Sequence, residues 1–354
     1  MGFLLLKPDE IQDLLGMAEC IEAVEKAYAG ASAFPVINAP RRRVHSPAGV
    51  RISNFPGGVH EMGVIGSATR AELVAQEATN QRYLYREHPI CVLHDSTTGH
   101  LLAVVIGEPI EKTLGRTSLM ALRTAATSGV AFKYMVRQNV DTCGLFGSGG
   151  QAANQLLALL SVRPGIERVK VYSRSAENRS GFARKYGPQF NVEITPVETP
   201  EEVIKGVDVV LCATNTNVAL FDGNLLERGQ HVTGIIGGNT QLVEGGFLVR
   251  ARREIDDRTV ERADIVVTNL RESVVSEKQG DLYEPIQKGL IRLEDIGELG
   301  ELATGQVSGR DTDEQITYHK NNNGTGASEL AVAMLIYERA KEKGRGTFVD
   351  LIDT

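Results

Sequence analysis

The chain has 354 residues, 42% of them hydrophobic and 23% charged, with a formal net charge of -7. That balance belongs to a folded globular protein long enough for two domains, not to a disordered chain. The acidic excess argues against nucleic acid as a partner, because phosphate binding needs a basic footprint.

Leu4–Leu6 reads as a short strand, and Asp9 is placed to cap a following helix. Met17, Ile21, Val24 and Tyr28 share one helical face, with Gly30 placed to end that helix. From Arg41 to about Val105 the texture changes to short β-rich runs. A turn is expected at Pro56-Gly57-Gly58, and a hairpin at His94–Gly99 between ICVL and LLAVVI. Leu119–Phe132 reads as an alanine-rich helix. After it come TCGLF, GSGGQA, ANQLLALLS and VKVYS, then the apolar runs DVVLCAT, HVTGII and DIVVTN. Such β–α alternation predicts an α/β fold with a parallel, doubly wound sheet of the Rossmann type. A last helix is expected over Ser328–Lys343, ended by Gly344.

Cys20, Cys91, Cys143 and Cys212 stand far apart among apolar neighbours with no CxxC spacing. They read as buried thiols of a reducing compartment. MGFLLLKPDE has too short an apolar run for a signal peptide, and no apolar stretch reaches the length of a membrane span. A cytoplasmic protein with no membrane partner is expected. No histidine pair stands at helical or finger spacing, so no metal site is expected.

The segment Gly147-Ser148-Gly149-Gly150-Gln151-Ala152 fits GxGxxA and falls between a strand and an apolar-periodic helix. Gly147 permits the tight turn, Gly149 lets the backbone approach a pyrophosphate, and Ala152 allows close helix–strand packing. The phosphates would sit on the helix N-terminus, where free N–H groups and the dipole favour negative charge. The next strand ends in Ser173-Arg174-Ser175, with Arg179 a turn later. Glu167 precedes that strand and so lies at its wrong end. A missing acid and a present arginine point to NADP(H), with NAD(H) as the weaker option. Cofactor contacts are expected from Thr124, from all six residues of the glycine turn, from Ser173, Arg174, Ser175 and Arg179, and from Ala213, Thr214 and Asn215.

The run Ala121–Ser128, which contains Arg123-Thr124-Ala125-Ala126, resembles the RTAA motif of the ornithine cyclodeaminase/mu-crystallin family. Pro40-Arg41-Arg42, Asn54-Phe55-Pro56-Gly57 in place of a Met-Pro turn, the Asp95…Gly99 hairpin, Gly147–Ala152, Ile236-Gly237-Gly238-Asn239 and Gly344-Arg345-Gly346-Thr347 fit the same family in order. The resemblance implies a Rossmann domain, here 126–314, inserted in a substrate-binding and dimerisation domain made of 1–125 and 315–354. It also implies a homodimer and small amino-acid or imino-acid substrates. Arg42 and Arg123 match the arginines that hold the substrate carboxylate, a role suited to a permanently charged, bidentate guanidinium. For the first of them, the choice among Arg41, Arg42 and Arg43 stays open.

Three departures from the family matter. Its active-site aspartate falls at Asn239, and an amide cannot serve as a carboxylate base. Its active-site lysine aligns near Ala68, with Arg70 on the same strand face. The stretch Gly107–Leu119 is longer than the family's usual connection into the RTAA helix and carries Glu108, Glu111, Lys112 and Arg116, either as replacement polar groups for the pocket or, the favoured reading, as a charged loop. With Arg42, Arg123 and Asn239 as the candidate catalytic residues, the leading reading is NADPH-dependent reduction of a small imino acid, or the reverse amino-acid dehydrogenase reaction. Two alternatives stay open: a redox-neutral cyclodeaminase or dehydratase using bound NAD, and a non-catalytic protein that keeps the cofactor site.

Overall fold

The computed structural model describes residues 2–76, 82–321 and 324–351, without the side chains of Ile110 and Arg116. It contains two large sheets. The first runs in the order Thr347–Asp350, Gly2–Leu6, Leu101–Ile106, Ile90–Asp95, Val64–Val74, Val50–Val59, Arg42–His45, with Tyr83–Arg86 added beside Val64–Val74. Its pairings are antiparallel except between Gly2–Leu6 and Leu101–Ile106. The second sheet is parallel throughout and runs Glu193–Pro196, Arg168–Tyr172, Thr142–Phe146, Val209–Cys212, His231–Gly234, Thr317–Lys320, Ile265–Thr268, Gly297–Glu298. Its first five strands follow the 3-2-1-4-5 order of a doubly wound dinucleotide fold.

Both faces of the parallel sheet are buried, which is why its strands are apolar without alternation. Cys143, Leu145, Val209 and Leu211 belong to a core shared with the helices Met17–Ala33, Leu119–Met135, Gly150–Val162 and Gly326–Glu342. Phe146, Val210, Cys212, Val232 and Tyr318 form the core on the opposite face. Helix Leu119–Met135 is buried on nearly all sides and packs against both Met17–Ala33 and Gly150–Val162. It ties the two sheets together. Among the described residues, no helix is long and apolar enough to cross a membrane.

Several expectations change here. Asp9 caps nothing: residues around it form turns, Asp13 takes a left-handed φ of 57°, and the first helix begins only at Met17. That helix passes through Gly30 to Ala33. Pro56-Gly57-Gly58 is strand, not turn, because Gly57 serves a close approach. A Cβ there would stand 2.5 Å from the Ala327 amide nitrogen, so the glycine admits the N-terminus of the last helix. That helix spans Gly326–Glu342, capped by Thr325. The expected boundary at 126 falls inside one continuous helix. The expected return at 315 comes too early, because Thr317–Lys320 is a central strand of the parallel sheet.

Candidate functional site

A cleft of about 850 Å³ opens between the two sheets, and the glycine turn lines one end of it. Gly147 follows strand Thr142–Phe146 with φ +115°, and a Cβ there would stand 2.3 Å from the Ala213 carbonyl oxygen. Only glycine fits. Around Gly149 and Gly150 a Cβ would meet nothing within 4 Å, so the backbone faces open space. Gly149 is the N-cap of helix Gly150–Val162 and offers no side-chain cap. An uncapped helix N-terminus beside an open cradle fits a pyrophosphate. Ser148 and Gln151 line the cleft with the glycines. Ala152 does not line it; fully buried, it packs 3.7 Å from where a Gly147 Cβ would lie.

At the end of strand Arg168–Tyr172, Ser173, Arg174 and Ser175 line the cleft, and Ser175 caps the helix Ala176–Phe190. Arg174 is exposed. Arg179 was expected to meet the cofactor, but its guanidinium turns inward. It donates to the Ser173 carbonyl at 3.1 Å, pairs with Glu198 and is only 6% exposed. It shapes the loop instead of lining the cleft. Asn178, Lys185 and Tyr186 line the same end and carried no sequence signal.

Ala213, Thr214, Asn215, Ile235, Ile236, Gly237 and Asn239 border the middle of the cleft, on loops that follow the strands Val209–Cys212 and His231–Gly234. One buried carboxylate holds both loops. Glu254 accepts from the Thr214 amide and hydroxyl, each at 2.7 Å, and from the Ile235 and Ile236 amides at 3.1 and 3.0 Å. Asp281 in turn accepts from the Glu254 and Ile255 amides and pairs with buried Lys320, which also donates to the Ile236 carbonyl. Burial pushes the Glu254 carboxyl up to about 7, against the nearby Lys320 charge. This support leaves no local signal in the sequence, since its members lie far apart in the chain. Asn239 has a left-handed φ of 56° and stands at the N-cap position of the short helix Thr240–Glu244, with no side-chain cap bond to that helix.

The far end of the cleft is lined by arginines. Arg123 sits on helix Leu119–Met135 with its Nε donating to Glu329 Oε1 at 2.6 Å and its Nη1 to Thr124 Oγ1 at 2.7 Å. Thr124 itself is fully buried, donates to the Met120 carbonyl and does not line the cleft, so its expected cofactor contact is replaced by support of Arg123. Arg42 is corrected as well. Strand residues alternate between faces, and Arg42 lies on the outer, exposed one; Arg41 and Arg43 face the cleft. Arg41 donates Nε to Glu277 at 2.8 Å. Ala68, where the family's lysine would align, is buried opposite Cys91, and Arg70 two residues on lines the cleft. Arg51 and Glu72 join it there, unanticipated from the sequence. Their signal was the alternation of Arg51, Ser53 and Phe55 along one strand.

None of Glu108, Glu111 and Lys112 lines the cleft. Glu111 is buried, accepts from the Thr113 and Leu114 amides and so folds its own loop; Lys112 pairs with Glu19. The Arg116 side chain lies outside the described residues.

The profile of the ornithine cyclodeaminase/mu-crystallin family matches residues 4–344. The chain is 32% identical over 245 residues to a Delta(1)-pyrroline-2-carboxylate reductase of Bacillus cereus, covering 69% of this chain and 71% of that one. It superposes with a TM-score of 0.81 on Thermococcus litoralis Delta(1)-pyrroline-2-carboxylate reductase in complex with NADH and L-proline, at 28% identity and over 98% of this chain and 100% of that one. The iminosuccinate reductase of Paracoccus denitrificans in complex with NAD+ also superposes at 0.81, with 25% identity, over 99% of this chain and 100% of that one.

Proposed function

Because this chain belongs to the ornithine cyclodeaminase/mu-crystallin family, we propose that it reduces a small imino acid to an amino acid with a nicotinamide cofactor, or runs the reverse oxidation. The observation that carries the reading is one cleft with an open glycine cradle at one end and buried arginines at the other. When bound, the nicotinamide would supply the hydride taken up by the carbon of the protonated imine, whose nitrogen becomes an amine and takes one proton from water to become an ammonium. The protein's part is positioning. Arg123, braced by Glu329 and Thr124, offers its remaining guanidinium edge to the substrate carboxylate. The Glu254 network fixes the two loops that border the reacting region.

Asn239 supports reduction over deamination. A carboxamide beside the cleft can donate or accept hydrogen bonds but cannot take up a proton as a base. For the cofactor we favour NADP(H). Arg174 stands exposed at the end of the second strand of the fold, where a 2′-phosphate would be met, and its neighbours there are the serines Ser173 and Ser175, not the acid that an NAD site places at that strand end. The complexes of the two relatives hold NADH and NAD+, which supports a nicotinamide dinucleotide in this fold. We also propose a homodimer through the outer face of the first sheet, where Val44, Ile52 and Ile65 are 66%, 40% and 43% exposed.

The test is to incubate the pure protein with NADPH or NADH and a panel of cyclic imines and of 2-oxo acids with ammonia, following nicotinamide absorbance. Oxidation of the nucleotide that depends on the imine supports the reading. Ammonia release from a diamino acid without net change of the nucleotide would replace it with a lyase.

A further inference from the structure

Arg43, Ser53 and Arg70 stand side by side on three neighbouring strands, Arg43 in register with Ser53 and Ser53 in register with Arg70. All three face the cleft. The small serine therefore leaves a notch between two arginines whose Cα atoms stand two strand spacings apart, about 10 Å. One step along the same face, Arg51 is in register with Glu72.

These guanidiniums have donors to spare. Arg51 uses Nε and Nη2 on Glu72 and Tyr83, which leaves Nη1 buried with no partner among the described residues. Arg70 uses Nη2 on Glu329 at 2.8 Å, and its Nη1 is likewise buried with no partner among those residues. The two residues are only 4% and 6% exposed. Arg43 reaches Ser53 Oγ at 3.4 Å and Glu277 at 3.5 Å, and burial together with the Arg41 and Arg51 charges pushes it down to about 9. Orphaned donors and crowded like charges both cost stability in a buried wall. A carboxylate placed there relieves both, since it brings negative charge and accepts from several N–H groups. Arg123 lies on the other side of Glu329 from Arg70, and both guanidiniums rest over the Phe55 ring, at 5.9 and 5.2 Å from its centre. Ser53 and Arg51 lie two and four residues along the strand from Phe55, about 7 and 13 Å, so a carboxylate held by Arg123 over that ring lies away from Arg51.

We propose that the substrate carries a second carboxylate, bound in the Arg43–Ser53–Arg70 notch and against Arg51, while Arg123 holds the carboxylate next to the reacting carbon. This rests on the reductase reading and narrows its substrate to imino acids derived from 2-oxo dicarboxylates. A neutral side chain would leave the same N–H groups orphaned, and sites built to hydrogen-bond a group reject analogues that lack it.

The experiment uses the full-length protein saturated with oxidised nucleotide, titrated calorimetrically with glutarate, succinate and butyrate. A dicarboxylate should bind roughly 30-fold tighter than butyrate. Ser53→Asp, which puts a like charge in the notch, should erase that preference and leave nucleotide affinity intact. Equal affinity for glutarate, succinate and butyrate, or no binding of any of them, overturns the proposal. Turnover with ammonia and oxaloacetate or 2-oxoglutarate, against pyruvate or 2-oxobutyrate, separates the two claims. Equal turnover of both classes with equal binding removes the second carboxylate and keeps the reductase. Tight dicarboxylate binding with no reduction of any imine removes the reductase and keeps the site.

Discussion

Arg123 and Glu329 meet at 2.6 Å at the base of the cleft, with side chains 1% and 0% exposed. The second oxygen of the same carboxylate takes Arg70 at 2.8 Å. The two cations hold the Glu329 carboxyl below its usual range against the opposing effect of burial. The arginine proposed to bind substrate is thus already part of a buried triad, and its remaining edge is aimed by that triad.

Glu329→Gln should therefore harm the fold as well as the site. It leaves two buried guanidiniums without a counter-charge, a loss of about 3–5 kcal/mol. Urea unfolding measures it as a lowered midpoint at constant slope. A variant as stable as the native protein would mean that the triad carries no structural role.

Arg123→Ala should weaken use of the carboxylate substrate by about 2–4 kcal/mol in kcat/KM while nucleotide still binds. The triad adds a requirement that a simple clamp would lack: thermal stability should fall too. If an ester analogue is turned over as well as the free acid by the native protein, Arg123 is not the clamp.

Arg174→Ala should weaken NADPH by roughly 10- to 100-fold and leave NADH nearly unchanged, as expected for loss of a charge-assisted contact to the 2′-phosphate. Fluorescence titration of both nucleotides reads this directly. Equal losses, or a native preference for NADH, would count against NADP(H) as the cofactor.

The native protein should release no ammonia from ornithine in the presence of NAD. Asn239→Asp should leave imine reduction unchanged or lower it, because hydride transfer needs no carboxylate there. Robust deamination by the unmodified chain would mean that another group supplies the base.

Stability should depend on acid through His319. Burial, reinforced by Lys320, pushes its imidazole down to about 3, and the ring lies 3.0 Å from Asn269 Oδ1. A depressed basic group favours the unprotonated folded state, so its contribution is complete above the ordinary value of 6.5 and is lost as pH falls from there towards 3. Glu254 has the opposite sign: its raised carboxyl removes stability as pH climbs from 4.5 to about 7. Comparing His319→Gln with the native protein cancels the Glu254 effect. The native advantage in melting temperature should shrink between pH 7 and pH 4 (roughly the window of the shift), and parallel curves would rule out the histidine as the cause.

The dinucleotide turn was legible because its causes are local. Gly147 needs a positive φ and room against Ala213, Gly149 and Gly150 leave a cradle open, and apolar strands on either side announce a sheet buried on both faces. The RTAA helix and the absence of an acid after the second strand are likewise read from neighbouring residues.

What the tertiary structure decided was which arginines meet the cleft. Alternation along a strand separates odd from even positions but does not say which set faces inward, so Arg42 in a run of three could not be told from Arg41 and Arg43. That choice was made by packing, when the last helix laid Gly326 against Gly57 and fixed the inner face of the sheet. The partners of the arginines are just as remote: Glu277 lies 236 residues from Arg41, and Glu329 lies 206 residues from Arg123. Local chemistry wrote the glycine cradle into the sequence, whereas the arginine wall exists only where distant segments bring charges together, withdrawn from water.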